Sequence, residues 1–252
     1  LSAKAYSDLR ATGRKVRRPD LALAVMSHAL ATDPGRNEFT YAKLTPFIQA
    51  HRKNAHEFGI PLFDIHDAEQ GIVHVVGPES GFTLPGTTLV CCDSHTCTNG
   101  GVGSLAFGVG SSDLGHILAT QTLALQRPKT LRVNISGKLP AGIYAKDIVL
   151  HLISRVGAGG GNGYAVEYAG AVVTNLSVEA RLTLCNMSVE WGGRMGMVAP
   201  DDVTFQYIAG RQFAPQGDGW DRALAAWRRL PSDPDARFDR EVTIDCSVIA
   251  PQ

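Results

Sequence analysis

The chain has 252 residues, of which 44% are apolar, so it can bury one large or two ordinary hydrophobic cores. Its 24 basic and 24 acidic residues balance, which excludes a bulk charge that would attract nucleic acid or an anionic membrane. The sequence shows no apolar run of membrane-spanning length and no charged-then-apolar leader. We therefore predict a cytoplasmic protein with neither nucleic-acid nor membrane partners.

The chain contains five cysteines, an odd number that favours reduced thiols over a disulfide framework. Cys91, Cys92 and Cys246 are expected to be mainly small core residues, whereas Cys97 lies in the loop and could be reactive. No C-x-x-C pair occurs, so the sequence offers no self-contained zinc or iron–sulfur ligand set.

In the first part of the chain, the apolar run Leu21–Met26 predicts a buried strand that ends just before His28. The apolar stripe over residues 45–58 predicts a helix. The stretches PLFDI and GIVHVV then favour two short strands, with His74 inside the second. A histidine in a strand is often an ordinary core or surface residue, and that alternative stays open for His74.

The stretch from Leu89 to Gly110 begins as a β-branched, apolar strand and then breaks into Asp93, Ser94 and His95, followed by five glycines. In open α/β sheets, ligands bind at the carboxyl ends of strands. A carboxylate, a hydroxyl and an imidazole at such an end can together handle protons. The alternative is a turn whose Asp and Ser make local hydrogen bonds and whose His is merely exposed.

The strand–helix pattern restarts after a helix that begins near residue 111, so we predict a boundary at Arg127–Lys129 and domains of residues 1–127 and 128–252. The second domain is predicted to contain further strands and helices in alternation. They are a strand over 131–136, a helix over 145–156, a strand at YAVEYAG, a helix over 177–191, helices near 202–210 and 220–230, and a strand at EVTIDCSVI.

Asn186, Glu190 and Arg194 interrupt the apolar residues of the 177–191 helix pattern at successive steps of four. That spacing predicts an amide, a carboxylate and a guanidinium on one helical face, where they could bind an anionic ligand. A solvated stripe with an ordinary Glu–Arg pair is the alternative.

The chain resembles the aconitase superfamily in several motifs that occur in the family's order. They are DSHTCTNGGVGSLAFGVGSSD, ATQTL, CNMSVE and MVAPDD. Similar stretches run from GRKVRRPDL through GIVHVVGPE, KDIVLHLI and TFQYIAGR to FDREVTID, so the resemblance covers nearly the whole chain. It implies an α/β protein with three-layer α/β/α domains flanking a cleft, and a 4Fe-4S cluster that serves the dehydration and rehydration of hydroxy acids.

The resemblance implies active-site roles for residues that match the family's motifs. The expected catalytic residues are His28, His74, Asp93, His95 and Glu190; Ser94 and Asn186 are expected to contact substrate, with Asn186 and Glu190 near the cluster. Arg194 is a further candidate substrate contact, on helical spacing alone. The family has an aspartate before the first histidine, whereas this chain has Ser27. A hydroxyl cannot stabilise imidazolium with a full charge, so we predict a lower rate than with aspartate.

The motifs are most similar to those of isopropylmalate dehydratase large subunits. This implies interconversion of 2- and 3-isopropylmalate in leucine biosynthesis, with a hydroxy dicarboxylate as substrate and a separate small subunit as partner. The chemistry requires a base for the α-proton, an acid or Lewis acid for the departing hydroxyl, and cationic or amide groups for the anionic substrate.

The family's three cluster-ligand cysteines have no counterpart in this chain. Because the chain starts with Leu1 and ends just after a predicted strand, we expect it to be part of a longer protein whose cluster-binding domain follows Gln252. A naturally short homologue is an alternative. Such a homologue could receive the cluster from another polypeptide, or use a mononuclear metal bound by His74, His95 and Asp93 or Glu190. A degenerate protein that binds a dicarboxylate or a partner without turnover is the remaining alternative.

Overall fold

The structure is a computed structural model that describes residues 3–28 and 30–252. Its α-helices are α1 (Ala3–Ala11), α2 (Thr45–Glu57), α3 (Val73–Ser80), α4 (Ser111–Thr120), α5 (Ala145–Val156), α6 (Ala171–Thr174), α7 (Val178–Asn186), α8 (Asp202–Ile208) and α9 (Asp218–Trp227). Its strands are β1 (Ala24–Val25), β2 (Leu62–Phe63), β3 (Thr88–Cys91), β4 (Leu105–Gly108), β5 (Lys129–Ser136), β6 (Tyr164–Ala169), β7 (Met195–Val198) and β8 (Arg240–Asp245). Short 3₁₀ helices cover Pro19–Leu21, Ser94–Val102, Met187–Trp191 and Cys246–Val248. Within the described ranges, no helix combines the length and apolarity needed to traverse a lipid bilayer.

The chain forms two compact units. The first comprises residues 1–76 and 109–125, and the second comprises residues 77–108 and 126–252. The domain boundary predicted at residues 127–129 lies close to residue 126, where the chain returns to the second unit. The segment 77–108, which carries the Asp93–Ser94–His95 motif, belongs to the second unit rather than to an N-terminal domain, because it packs against α7 and β7.

The first unit is built around the parallel pair β1–β2 and the helices α1, α2 and α4. Its main core contains Tyr6, Leu9, Ala55 and Leu118, all nearly inaccessible to solvent. Gly115 permits α4 to approach the backbone of α1 closely, because a Cβ there would contact Ala5.

The second unit contains a parallel sheet of four strands in the order β7-β6-β5-β8, and a separate parallel pair, β3–β4. Its largest core lies between the sheet and the helices, with β5 contributing Leu131, Val133 and Ile135. Parallel strands joined by helices confirm the predicted α/β class.

Several predicted helices and strands are confirmed, and the helices among them begin at capping hydrogen bonds. Helix α5 coincides with the predicted range 145–156, and the carboxylate of Asp147 accepts a hydrogen bond from the Tyr144 N–H at its start. In α7, Ser177 caps the helix by accepting from the Ala180 N–H, and Asp201 caps α8 in the same way. Strands β5, β6 and β8 lie where alternating apolar residues predict them.

The GIVHVV prediction is wrong, because His74 lies in helix α3 rather than in a strand. A short apolar run fits a buried strand or a buried helical turn equally well, and periodicity cannot distinguish them. In the structure the Ser27 hydroxyl accepts a hydrogen bond from the Val73 N–H at the helix start, a contact that the local sequence does not reveal. The predicted strand Leu21–Met26 is also shortened to Ala24–Val25, because Pro19–Leu21 forms a 3₁₀ turn.

The glycine-rich stretch is a buried 3₁₀ helix, Ser94–Val102, rather than an open loop, and it leads into β4. Its glycines allow direct backbone contact with neighbouring elements. A Cβ on Gly100 would collide with the carbonyl oxygen of Gly196 in β7, and a Cβ on Gly101 would lie 2.7 Å from the Leu182 nitrogen in α7. Glycine is therefore required here by close packing.

We predict that Gly100→Ala destabilises the protein by about 3 kcal/mol or more, because the rigid Gly196 carbonyl cannot move aside. Gly219→Ala is the matched control, since its Cβ would lie 3.8 Å from the nearest atom, on Pro215. Helix propensity favours alanine at that position in α9, so this variant is expected to be neutral or slightly stabilising. Urea unfolding of both variants measures the difference, and similar midpoints would contradict the packing argument.

Candidate active site

Asp93 follows β3 and begins the 3₁₀ helix that carries the rest of the motif. Its backbone is extended, and its Oδ1 accepts a hydrogen bond of 2.8 Å from the His95 N–H. The Asp93 carbonyl also accepts from the Thr96 hydroxyl at 2.6 Å. These bonds fix the turn at the carboxyl end of the strand, so the predicted strand exit is confirmed.

The His95 imidazole is held between a carboxylate and a hydroxyl. Its Nε2 lies 2.8 Å from Glu190 Oε1, and its Nδ1 lies 3.3 Å from Ser94 Oγ and 3.8 Å from Asp93 Oδ1. When Glu190 is ionised, Nε2–H donates to it, and Nδ1 of the neutral ring is left to accept a proton. The His95 side chain is 36% exposed and that of Glu190 is 51% exposed, so both remain accessible to a ligand.

Asn186 is the last residue of α7 and contacts the 3₁₀ helix of the motif through Thr98. Its Nδ2 donates a hydrogen bond of 2.9 Å to Thr98 Oγ1, and the Thr98 hydroxyl donates at 2.6 Å to the His95 carbonyl. The structure therefore brings Asp93, Ser94, His95, Asn186 and Glu190 together within the second unit.

Arg194 does not lie on the helical face predicted from its spacing. The α-helix ends at Asn186, the following 3₁₀ helix ends at Trp191, and Gly192 turns the chain with φ +91. The Arg194 guanidinium instead lies 5.2 Å from the centre of the Phe107 ring, in a cation–π contact. The prediction that Arg194 shares a helical face with Asn186 and Glu190 is therefore wrong. A role for Arg194 in substrate binding stays a prediction.

His28 and His74 lie in the first unit, where their rings pack edge to face with centroids 5.7 Å apart. Ser27 Oγ lies 3.1 Å from His28 Nδ1 and accepts at 3.0 Å from the Val73 N–H. Ser27 thus contacts one histidine and caps the helix that carries the other. The convergence of these two histidines with the second-unit residues on one ligand stays a prediction.

Arg181 is a buried residue that the sequence analysis missed. It has no solvent exposure, and all its N–H groups are used by the Asp201 carboxylate, the Thr174 and Leu176 carbonyls and the Thr204 hydroxyl. It joins the helix that carries Asn186 to the start of α8. The sequence feature that could have indicated its role is a single arginine among the apolar residues of α7.

The Arg181–Asp201 pair also controls the ionisation of Asp201. Burial by itself would raise the pKa of Asp201, but the hydrogen bonds from Arg181 and from the Val203 and Thr204 N–H groups outweigh it, so the pKa is lowered. The carboxylate is therefore stabilised in its charged form.

Four of the five cysteines lie in surroundings that disfavour iron–sulfur ligation. Burial raises the pKa of Cys91 to about 11 and that of Cys97 to about 12, and it also raises the pKa of Cys185 and Cys246. Iron is bound by thiolates, which these environments disfavour. In residues 3–28 and 30–252, no metal-ligating group of three or more side chains includes a cysteine. The expected reactivity of Cys97 is wrong as well, because this thiol is fully buried.

The alternative of a site for a single metal ion is not supported for His95 or Glu190. Across the described part of the chain, no set of three ligand atoms close enough to hold one metal ion includes His95 or Glu190.

Comparison with known proteins gives consistent matches over nearly the whole chain. The model of the aconitase family (aconitate hydratase) matches residues 2–252. The 3-isopropylmalate dehydratase large subunit 1 of Bradyrhizobium diazoefficiens is 54% identical over 97% of this chain and 51% of the relative. The 3-isopropylmalate dehydratase large subunit of Roseiflexus castenholzii is 51% identical over 99% of this chain and 54% of the relative. The chain thus spans about half the length of these curated relatives.

We predict that Asp201→Asn destabilises the protein by about 3 kcal/mol at pH 7, because it leaves the Arg181 guanidinium buried without a counter-charge. Asparagine can still cap α8, so the loss reports the charge pair. The expected destabilisation is at the low end of the range for breaking a buried ion pair, because the Asp201 side chain is 34% exposed. The neighbouring Asp202→Asn is the control; its salt bridge to Arg228 is exposed, and less than about 1 kcal/mol is expected.

The effect should depend on pH in a defined direction. Because the native pKa of Asp201 is below its ordinary value of 3.8, its contribution is complete above that pH and is lost as the pH falls through the native pKa. The difference between Asp201→Asn and the parent should therefore shrink in acid. Urea unfolding between pH 7 and pH 2 measures it, and a difference independent of pH would contradict the assignment.

Proposed function

Because this chain belongs to the aconitase family, we propose that it provides the proton-handling part of a hydro-lyase acting on a hydroxy dicarboxylic acid. The observation that carries the proposal is the contact between His95 Nε2 and Glu190 Oε1, beside Asp93 at the end of β3. The large-subunit names of the relatives support 2-isopropylmalate as the substrate, converted to 3-isopropylmalate through the alkene in leucine biosynthesis.

Dehydration requires a proton to leave the carbon α to a carboxylate and another to reach the departing hydroxyl. In the proposed mechanism, His95 carries the proton at one of these positions. Glu190 stabilises its imidazolium form at Nε2, and Asp93 holds its backbone through the hydrogen bond to the His95 N–H. Rehydration uses the same groups in reverse, so a single relay serves both half-reactions.

The dianionic substrate needs donors beside the relay. We assign Ser94 as a neutral donor, Arg194 as a cationic donor, and Asn186 as a neutral contact to the substrate hydroxyl. The cation–π contact with Phe107 restrains the Arg194 side chain while leaving its N–H groups to bind a carboxylate. His28 and His74 are assigned to the catalytic set by their match to the family's histidines, and Ser27 orients His28.

The family implies a 4Fe-4S cluster that acts as a Lewis acid toward the hydroxyl. Since the cysteines of this chain do not fit it, we route no step through it and propose that its thiolate ligands come from outside these 252 residues. The large-subunit names support a small-subunit partner. A cytoplasmic location belongs to the same proposal.

We predict that His95→Gln and Glu190→Gln each reduce kcat by about 100-fold or more in the assembled enzyme, because each breaks the proton relay. Hydration of the alkene diacid, followed by loss of alkene absorbance, measures the rate. His56→Gln is the matched control: His56 is exposed on α2, and its variant should retain the parent rate. A parent rate in either relay variant would exclude the proposed role.

We predict that Ser27→Asp increases turnover, because a carboxylate stabilises the His28 imidazolium more strongly than a hydroxyl does. Aspartate can also cap α3, so the helix start should be preserved. Ser27→Ala is the comparison, since it loses both the capping bond and the contact with His28. Steady-state kinetics of the three proteins provides the test, and no gain with aspartate would count against the idea.

A further inference from the structure

Thr98 is a buried residue to which neither the family resemblance nor the comparisons assign a role. Its side chain is 4% exposed, and it lies in the 3₁₀ helix three residues after His95. We infer that Thr98 is a positioning residue that fixes the orientation of the Asn186 amide, so that Asn186 accepts a hydrogen bond from the substrate hydroxyl. The inference rests on the proposed function for the identity of the substrate.

The direction of the two hydrogen bonds at Thr98 follows from donor counting. A hydroxyl has one proton, and the His95 carbonyl 2.6 Å away can only accept, so Thr98 Oγ1 donates there. Oγ1 must then act as an acceptor toward Asn186. It can accept only from the amide nitrogen, which lies 2.9 Å away.

This arrangement determines which amide atom remains for a ligand. A flipped amide would place Oδ1 against Oγ1, two acceptors with no proton between them, which is unfavourable at a buried position. Within the described ranges, no group donates a hydrogen bond to Asn186 Oδ1. Oδ1 is therefore available as an acceptor.

The chemistry of a hydroxy diacid then identifies the group that Oδ1 can bind. Both carboxylates are ionised near neutral pH and carry no proton, so the hydroxyl is the only hydrogen-bond donor on such a molecule. The dehydrated alkene diacid has no donor at all. Through Thr98, Asn186 would distinguish the hydroxy acid from the alkene.

Thr98→Val tests this inference because it keeps the shape of the side chain and removes the hydroxyl, whereas Thr98→Ser keeps the hydroxyl. In the assembled enzyme, Thr98→Val should raise the KM for 2-isopropylmalate about tenfold and leave the KM for the alkene diacid nearly unchanged. Thr98→Ser should restore the parent value. If the valine variant does not fold, Thr98→Ala deletes the same hydroxyl without adding a group.

A second measurement does not depend on turnover. In ¹⁵N–¹H spectra of the chain, the side-chain NH₂ signals of Asn186 should shift in Thr98→Val and stay in place in Thr98→Ser. Equal KM increases for both diacids, failure of serine to rescue, or unshifted amide signals in the valine variant would each overturn the inference. If the parent protein processes neither diacid, the proposed function fails, while the spectra still decide whether Thr98 orients the amide.

Discussion

The close backbone contact between the 3₁₀ helix Ser94–Val102 and the elements α7 and β7 is the constraint on which the candidate site depends. Gly100 meets the Gly196 carbonyl, and Gly101 meets the backbone of Leu182, with no room for a Cβ at either position. Because α7 continues into the segment that carries Glu190, this contact sets the distance between Glu190 and His95. The chemistry therefore depends on residues that have no side chains.

Much of the second unit could be predicted from the sequence because its local signals agree with its packing. Helix α5 has a full apolar stripe and Asp147 at its start, and β5 alternates regularly, so periodicity and capping indicate the same elements. The Asp93 motif could be placed at a strand exit for the same reason. In contrast, α3 depends on a hydrogen bond from Val73 to Ser27, 46 residues earlier, which no local pattern reveals.

The candidate site was only partly predictable for the same physical reason. Motif resemblance predicted roles for Asp93, His95, Asn186 and Glu190, which the structure brings together. Helical spacing placed Arg194 on the wrong face, because the α-helix ends at Asn186 and the following 3₁₀ helix ends at Trp191. Thr98 lies inside the DSHTCTNGG motif but the motif assigns it no role, and Arg181 lies outside the quoted motifs. Their importance comes from burial and from the hydrogen bonds they complete, which are properties of the fold rather than of the local sequence.

The order of the main sheet has a consequence for how the chain acquires its structure. Strands β5, β6 and β7 are adjacent along the sheet, but β8 pairs with the other side of β5, with Leu131 opposite Arg240. During synthesis, one edge of β5 stays without its neighbour until more than a hundred further residues have left the ribosome. Such non-local pairing slows folding and exposes a strand edge to other nascent chains.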